Sequence, residues 1–222
     1  MADAITHPHV HSEKLTAELI LGGALAETIT GAGIIVVSII GLAGFMPTIM
    51  ISIATIGLGM SFLFEGGAIS SRLSYLLSQV TEGRLDIAEL GGGLTVEFIA
   101  GFGGIALGIL SLVGVRSIIL LPIAAIAFGG ALVMGSGVKA RINHLTIDQE
   151  ENVLAREIAR QAVIAANGVE ILVGMGAIAL GILGILNIHP IELSIIAILS
   201  VGGMILITGT AIGARMLSLF RR

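Results

Sequence analysis

The apolar and polar positions of this chain alternate on a coarse scale. Six long apolar runs are separated by three very short turns and by longer charged connectors. The runs extend over Leu19–Phe45, Pro47–Ser71, Leu90–Val115, Ser117–Val138, Val163–Ile188 and Pro190–Ala214. A bilayer's hydrocarbon core is about 30 Å thick, and a helix needs about 20 apolar residues to cross it. Each run meets that length. Lipid offers the backbone no hydrogen-bond partner, so a spanning segment is either a helix or a strand of a closed barrel. Strands of a barrel alternate apolar and polar residues over about ten positions, and no such pattern is present. The predicted fold is therefore all-α: a polytopic membrane protein with six transmembrane helices.

The turns on one side are minimal, at Phe45-Met46-Pro47, Gly114-Val115-Arg116-Ser117 and Asn187-Ile188-His189-Pro190. Proline after a helix end fits a sharp reversal, because it cannot continue the preceding hydrogen-bond ladder. The connectors on the other side are predicted to be partly helical. Asp148 with Glu151 reads as a helix cap, the stretch from Asn152 to Gln161 leads straight into the fifth run, and Arg72–Val80 prolongs the second. Thr81-Glu82-Gly83 reads as a break. Residues 1–14 read as a polar cytoplasmic tail ahead of one transmembrane domain, 15–222.

Self-comparison reveals an internal repeat. Residues 101–110 read GFGGIALGIL and residues 174–183 read GMGAIALGIL, identical at eight of ten positions. Glu97 and Glu170 precede them at the same offset, and Glu27, Gly31 and Gly33 form a weaker copy in the first run. The second helices echo one another at Gly57 and Gly59, Gly129 and Gly130, and Gly202 and Gly203. The unit is a helical hairpin present three times in tandem, at about 15–80, 86–144 and 148–222. An even number of spans per unit keeps all copies in one orientation.

Charge then sets the orientation. Ten of the eleven lysines and arginines fall on the connector side, and only Arg116 lies among the short turns. Basic residues stay cytoplasmic during insertion, so both termini are expected in the cytoplasm, in a bacterial-type inner membrane. Composition excludes other classes. With 55% hydrophobic and 12% charged residues and 32 glycines, the chain is neither disordered nor an ordinary soluble globule. It has no cysteine and a net charge of −4, which removes thiolate chemistry and any reason to expect nucleic-acid binding. There is no Trp and Tyr75 is the only Tyr, so the usual aromatic belt is missing.

Candidate functional residues lie on one helical face of each first helix. Positions three, four and seven apart share a face, which groups Glu97, Gly101, Gly104, Gly108 and Ser111; Glu170, Gly174, Ala177, Gly181 and Gly184; and Glu27, Gly31, Ile34, Ser38 and Gly41. Small residues let helix backbones approach closely in lipid, so Gly31, Gly101, Gly104, Gly108, Gly174 and Gly181 are predicted packing positions. The glutamates stand about 25 Å of helix before their turns. That places Glu27, Glu97 and Glu170 at one level near the inner edge, with Glu65 at a similar depth and Lys139, Arg141 and Arg215 within reach. They form either a ring of boundary ion pairs or a ring that gathers a cation or relays protons. His7, His9 and His11 are weak metal candidates, since alternating residues of an extended tail face one way. His144 reads as a connector residue, and His189 with Glu192 as a solvated helix start. No zinc-protease motif, P-loop or dinucleotide fingerprint occurs, and no cofactor is expected.

The glycine-rich hairpin with one carboxylate resembles the proteolipid rotor subunits of rotary ATPases. That family carries its ion-binding carboxylate mid-membrane on the second helix, whereas Glu27, Glu97 and Glu170 lie on first helices near the edge. Three two-span units are similar to mitochondrial carriers, whose proline-x-acid-x-x-base signature is absent here. Neither resemblance carries a function over. The expected function is a non-enzymatic membrane scaffold or accessory subunit, in contact with membrane lipids and either self-associating or joined to other membrane subunits. The alternative is a cation or proton channel or transporter that uses the glutamate ring.

Overall fold

The structure is a computed structural model that describes residues 7–79, 87–147 and 153–220, with side chains over 25–65, 96–137, 160–161 and 164–210. Every element among the described residues is an α-helix: α1 (His7–Leu42), α2 (Pro47–Gln79), α3 (Ile87–Leu112), α4 (Ser117–Ile147), α5 (Val153–Ile185) and α6 (Pro190–Phe220). Interior glycines would weaken such helices in water. In lipid the backbone has no competing partner, so helices rich in glycine persist.

Five of the six are long and apolar enough to cross a membrane, through Leu25–Leu42, Pro47–Glu65, Ser117–Gly137, Ile164–Ile185 and Pro190–Thr210. Six were expected. The described apolar stretch of α3, Val96–Leu112, falls short of the length of the others. Helix α2 continues to Gln79, and α5 starts at Val153, well before its apolar window. Helix α1 starts at His7, inside the segment read as a polar tail. The Asp148–Glu151 cap and the Thr81–Gly83 break lie outside the described residues.

The three short turns share one backbone design. Gly44, Gly114 and Asn187 end their helices with φ of 90°, 90° and 64°. Their amides bond back to the carbonyls of Gly41, Ser111 and Gly184, and the next amides, of Phe45, Val115 and Ile188, reach Ile40, Leu110 and Leu183. This double pattern is the Schellman motif, which satisfies the orphan carbonyls of a helix end. Glycine takes the left-handed conformation without a Cβ penalty, and Asn tolerates it. The residues that follow, Met46, Arg116 and His189, also have positive φ, at 41°, 37° and 40°. Their carbonyls accept the first bonds of α2, α4 and α6. Pro47 and Pro190 then occupy first helical positions, where a missing N–H costs nothing.

The helices form two triangles. Helices α2, α4 and α6 touch one another at the centre. Helix α1 packs on α2 and α6, α3 on α2 and α4, and α5 on α4 and α6, while α1, α3 and α5 make no mutual contact among the described residues. The core is filled by fully buried Leu58 and Phe62 from α2, Leu121 and Phe128 from α4, and Ile198 and Val201 from α6. Phe62 and Phe128 stack with centroids 5.3 Å apart and planes 10° apart. The perimeter carries large apolar side chains such as Ile29, Phe102 and Leu172, as lipid contact requires.

The turn geometry makes a direct prediction. Gly114→Ala forces a side chain into the left-handed region and should cost about 1–2 kcal/mol, whereas Asn187→Gly should leave stability unchanged or raise it. Unfolding in a mild detergent micelle, followed by circular dichroism, measures both.

Candidate functional site: buried glutamates between small-residue interfaces

At the described glycines, the closest backbone-to-backbone approaches fall between helices not joined by a short turn. Gly59 of α2 and Gly101 of α3 face each other so tightly that a Cβ on Gly59 would lie 2.7 Å from the Gly101 carbonyl, and one on Gly101 2.9 Å from the Gly59 carbonyl. Gly129 of α4 and Gly174 of α5 repeat the arrangement, at 2.5 and 2.7 Å. Backbone oxygen cannot move aside as a flexible side chain can, so these pairs set the helix spacing. One to two turns further along, Gly108 lies over Ile56 and the Ser52 carbonyl, and Gly181 over Ile126 and the Pro122 carbonyl. Gly104 is a hollow for the Phe128 ring. Gly184 makes room for Pro122, whose ring lies inside α4.

The interface that closes the circle, α6 on α1, is built differently. Gly31 packs under the backbone of Leu206, with a notional Cβ 2.8 Å from its nitrogen. Where α3 and α5 carry Gly104 and Ala177, α1 carries Ile34, and its side chain occupies the hollow at Gly202. The bulk of Ile34 explains why no glycine-to-glycine carbonyl contact forms there. All six predicted packing glycines, Gly31, Gly101, Gly104, Gly108, Gly174 and Gly181, thus lie between helices of the same chain. The glycines two positions after the first of each stripe, Gly33, Gly103 and Gly176, have no atom near a notional Cβ.

Glu27, Glu97 and Glu170 sit one turn before these contacts, on α1, α3 and α5. Each stands seventeen residues ahead of its left-handed turn residue, Gly44, Gly114 or Asn187. All three are buried, as is Glu65 on α2, with exposures of 1–8%. Each of the four is engaged in an interaction. The Glu97 carboxylate lies against Gly135 of α4, where a Cβ would collide with it. The same position along α2 is Glu65 and along α6 is Thr208, whose hydroxyl donates to the Met204 carbonyl at 3.1 Å. The side chains of Lys139, Arg141, Arg215 and His144, and those of His7, His9 and His11, lie outside the described residues. The backbone at His7–His11 is helical, which keeps positions 7 and 11 on one face and takes position 9 off it, unlike the extended tail expected.

The helices that carry the three repeat-related glutamates do not touch one another among the described residues. Among the described residues no three His, Cys, Asp or Glu side chains come together as a metal site would need. Sequence reasoning missed one polar contact that ties helices together: the hydroxyls of Ser52 (α2) and Ser111 (α3) lie 2.8 Å apart, and Ser52 also donates to Thr48 O at 2.7 Å. A serine within an apolar helix beside a glycine stripe was the available signal. Ser38 and Ser61 are buried hydroxyls with no partner among the described residues. A shallow apolar groove of about 200 Å³ runs between α1 and α2, lined by Thr30, Gly33, Ile34, Val37, Ile53, Ala54 and Gly57. The positions corresponding to Gly57 are Ala127 in α4 and Ser200 in α6.

No protein-family model, curated protein or solved structure matches the chain significantly.

Two glycines two residues apart should respond in opposite ways to one added methyl. Gly174→Ala drives a Cβ into the Gly129 carbonyl and should destabilise by about 1–3 kcal/mol, while Gly176→Ala meets open space and should stay within about 0.5 kcal/mol. Chemical denaturation of both variants in one detergent tests the pair.

Proposed function

We propose that the chain is three tandem two-helix hairpins related by a pseudo-threefold axis, with both termini cytoplasmic, acting as a non-enzymatic integral membrane scaffold or accessory subunit. The observation that carries this reading is the filled centre. In the core that α2, α4 and α6 share, Phe62, Phe128, Leu58, Ile198 and Val201 leave no exposed surface. The Glu97 carboxylate seated on Gly135 of α4 suits a helix-to-helix lock better than a shared cage. A buried carboxylate is retained only where partners compensate its desolvation, and engagement of all four fits that role. The small-residue stripes are used inside the chain, so self-association or docking to other subunits falls to the outer faces of α1, α3 and α5, where Gly33, Gly103 and Gly176 lie open.

A second reading, proton or cation transport, draws on one observation. Four carboxylates are buried at membrane depth, and such residues mark ion pathways in many membrane proteins. The register that sets Glu97 on Gly135 would bring Glu65 opposite Glu27, an acid beside an acid.

One triple variant separates the two readings. Glu27→Gln with Glu97→Gln and Glu170→Gln should lower thermal stability or change particle size in detergent, and leave liposome proton and sodium leak at the empty-vesicle level before and after mutation. Wild-type flux that the variant loses, with particle size unchanged, would overturn the scaffold assignment. Topology has its own test. The chain has no cysteine, so Ala2→Cys and Arg222→Cys give single labels. Both should react with an impermeant maleimide in inside-out inner-membrane vesicles and be protected in intact spheroplasts.

A further inference from the structure

One level of the bundle is richer in oxygen in the first hairpin than in the other two. On α2, Ser61 and Glu65 stand where α4 has Ala131 and Gly135 and where α6 has Met204 and Thr208. The glutamate of the first helix is common to all three hairpins. In the second hairpin the Glu97 carboxylate fills the space that a Cβ on Gly135 would take. The first hairpin carries a whole second carboxylate, that of Glu65, at the corresponding place. Glu27 and Glu65 are both buried, at 5 and 8% exposure.

The contact of α1 with α2 fixes which way this face of α2 points. A Cβ on Gly57 would lie 3.6 Å from Ile34 and 3.7 Å from Thr30 of α1. Gly57, Ser61 and Glu65 follow at intervals of four and share that face. In the second hairpin Phe128 reaches Gly104 while Glu97 reaches Gly135. The same register in the first sets Leu58 at Ile34 and Glu65 at Glu27, with Ser61 between them. Ser61 is 1% exposed, and its hydroxyl has no hydrogen-bond partner among the described residues. Hydroxyls elsewhere in α2 turn back on the carbonyl four residues earlier, as those of Ser52 and Thr55 do at 2.7 Å. Ser61 does not make that bond, so its oxygen is left for something held between α1 and α2.

We infer that Glu27, Glu65 and Ser61 form a binding site, peculiar to the first hairpin, for a hard metal cation held by oxygen. Carboxylates buried side by side repel each other, and buried charge persists where it is paired or coordinates a metal. Two carboxylates and a hydroxyl are ligands of the kind that calcium, magnesium and sodium take. No third His, Cys, Asp or Glu joins the pair among the described residues, which disfavours zinc and copper. The ion would tie α1 to α2 one turn beyond the place where Thr30 and Gly57 line the shallow groove between them. The transfer of register from the second hairpin to the first rests on the tandem repeat proposed above. A resident ion of this kind serves a scaffold and a transporter alike.

The chain has no cysteine, so the placement is testable apart from the ion. Glu27→Cys with Glu65→Cys should be joined by mild oxidation or by a short bifunctional methanethiosulfonate. Failure to cross-link would show that the repeat register does not carry over, and the site would fall with it. For the ion, the wild-type protein in mild detergent is stripped with a chelator in choline buffer. It is then titrated separately with calcium, magnesium and sodium chloride. Thermal unfolding is followed by circular dichroism, and bound metal is counted by equilibrium dialysis. At least one of the three should raise the unfolding temperature saturably and bind at one ion per chain, and the ion that saturates lowest is the one the site takes. Glu65→Gly, which copies Gly135, should abolish both effects. Ser61→Ala, which copies Ala131, should weaken binding several-fold and carries the comparison if Glu65→Gly does not fold. Glu97→Gln should leave ion binding unchanged. A cross-linked pair with no ion bound by the wild type, or with the same binding in Glu65→Gly and Ser61→Ala, would overturn the inference. The two carboxylates would then be compensated by the protein's own side chains, with which both already interact.

Discussion

The close approach of backbone to backbone at Gly59–Gly101 and Gly129–Gly174 is the constraint on which the rest of the molecule depends. In lipid no hydrophobic drive pulls helices together, so association rests on van der Waals contact, and contact grows steeply as axes approach. Removing Cβ from both sides of a crossing brings α2 to α3 and α4 to α5 at a separation that no other residue pair allows. The inner helices are then close enough to one another that Phe62 and Phe128 fill the axis. Glu97 and Glu170 lie one turn from these pairs and are buried.

That packing also bears on function. Among the described residues the inner helices meet on large apolar side chains, and conduction along that contact would require those side chains to withdraw. Four buried glutamates stand on α1, α2, α3 and α5, and the Glu97 carboxylate lies against Gly135 of α4. A carboxylate seated on Gly135 fits one register of α4 against α3 and not a register shifted by a turn. Specific register is what small, featureless glycine faces lack on their own, and a polar group is a known means of supplying it.

Much of this architecture was legible in the sequence, because the bilayer restricts the options. Runs of about 20 apolar residues, proline at 47 and 190, and a glycine-acid stripe at helical spacing locate the helices, two of the turns and the packing faces. The stripe does not say which neighbour it meets. That depends on side chains from another helix, such as Phe128 entering the hollow at Gly104, or Ile34 filling Gly202, which no periodicity within one helix encodes. The Ser52–Ser111 contact joins residues far apart in the chain, so a serine beside the stripe could be noticed but its partner could not. Helix α3 counts as short because its described apolar stretch starts only at Val96. The histidines at 7–11 looked like a tail by composition, yet Pro8 is compatible with a first helical turn, and α1 begins there.

The odd interface between α1 and α6 has a consequence for how the chain is assembled. One partner of α3 and one of α5 is already in the membrane when those helices arrive, since α2 and α4 precede them in synthesis. Helix α1 meets α2 next but must wait for the last helix of all, so Gly31 lacks its neighbour Leu206 throughout the making of the others. Ile34, bulkier than its counterparts, gives α1 an apolar ridge that lipid solvates well in the interval and that α6 can later receive in the cleft at Gly202. The seam is thus a late joint, suited to a component whose mate is always the last to be delivered.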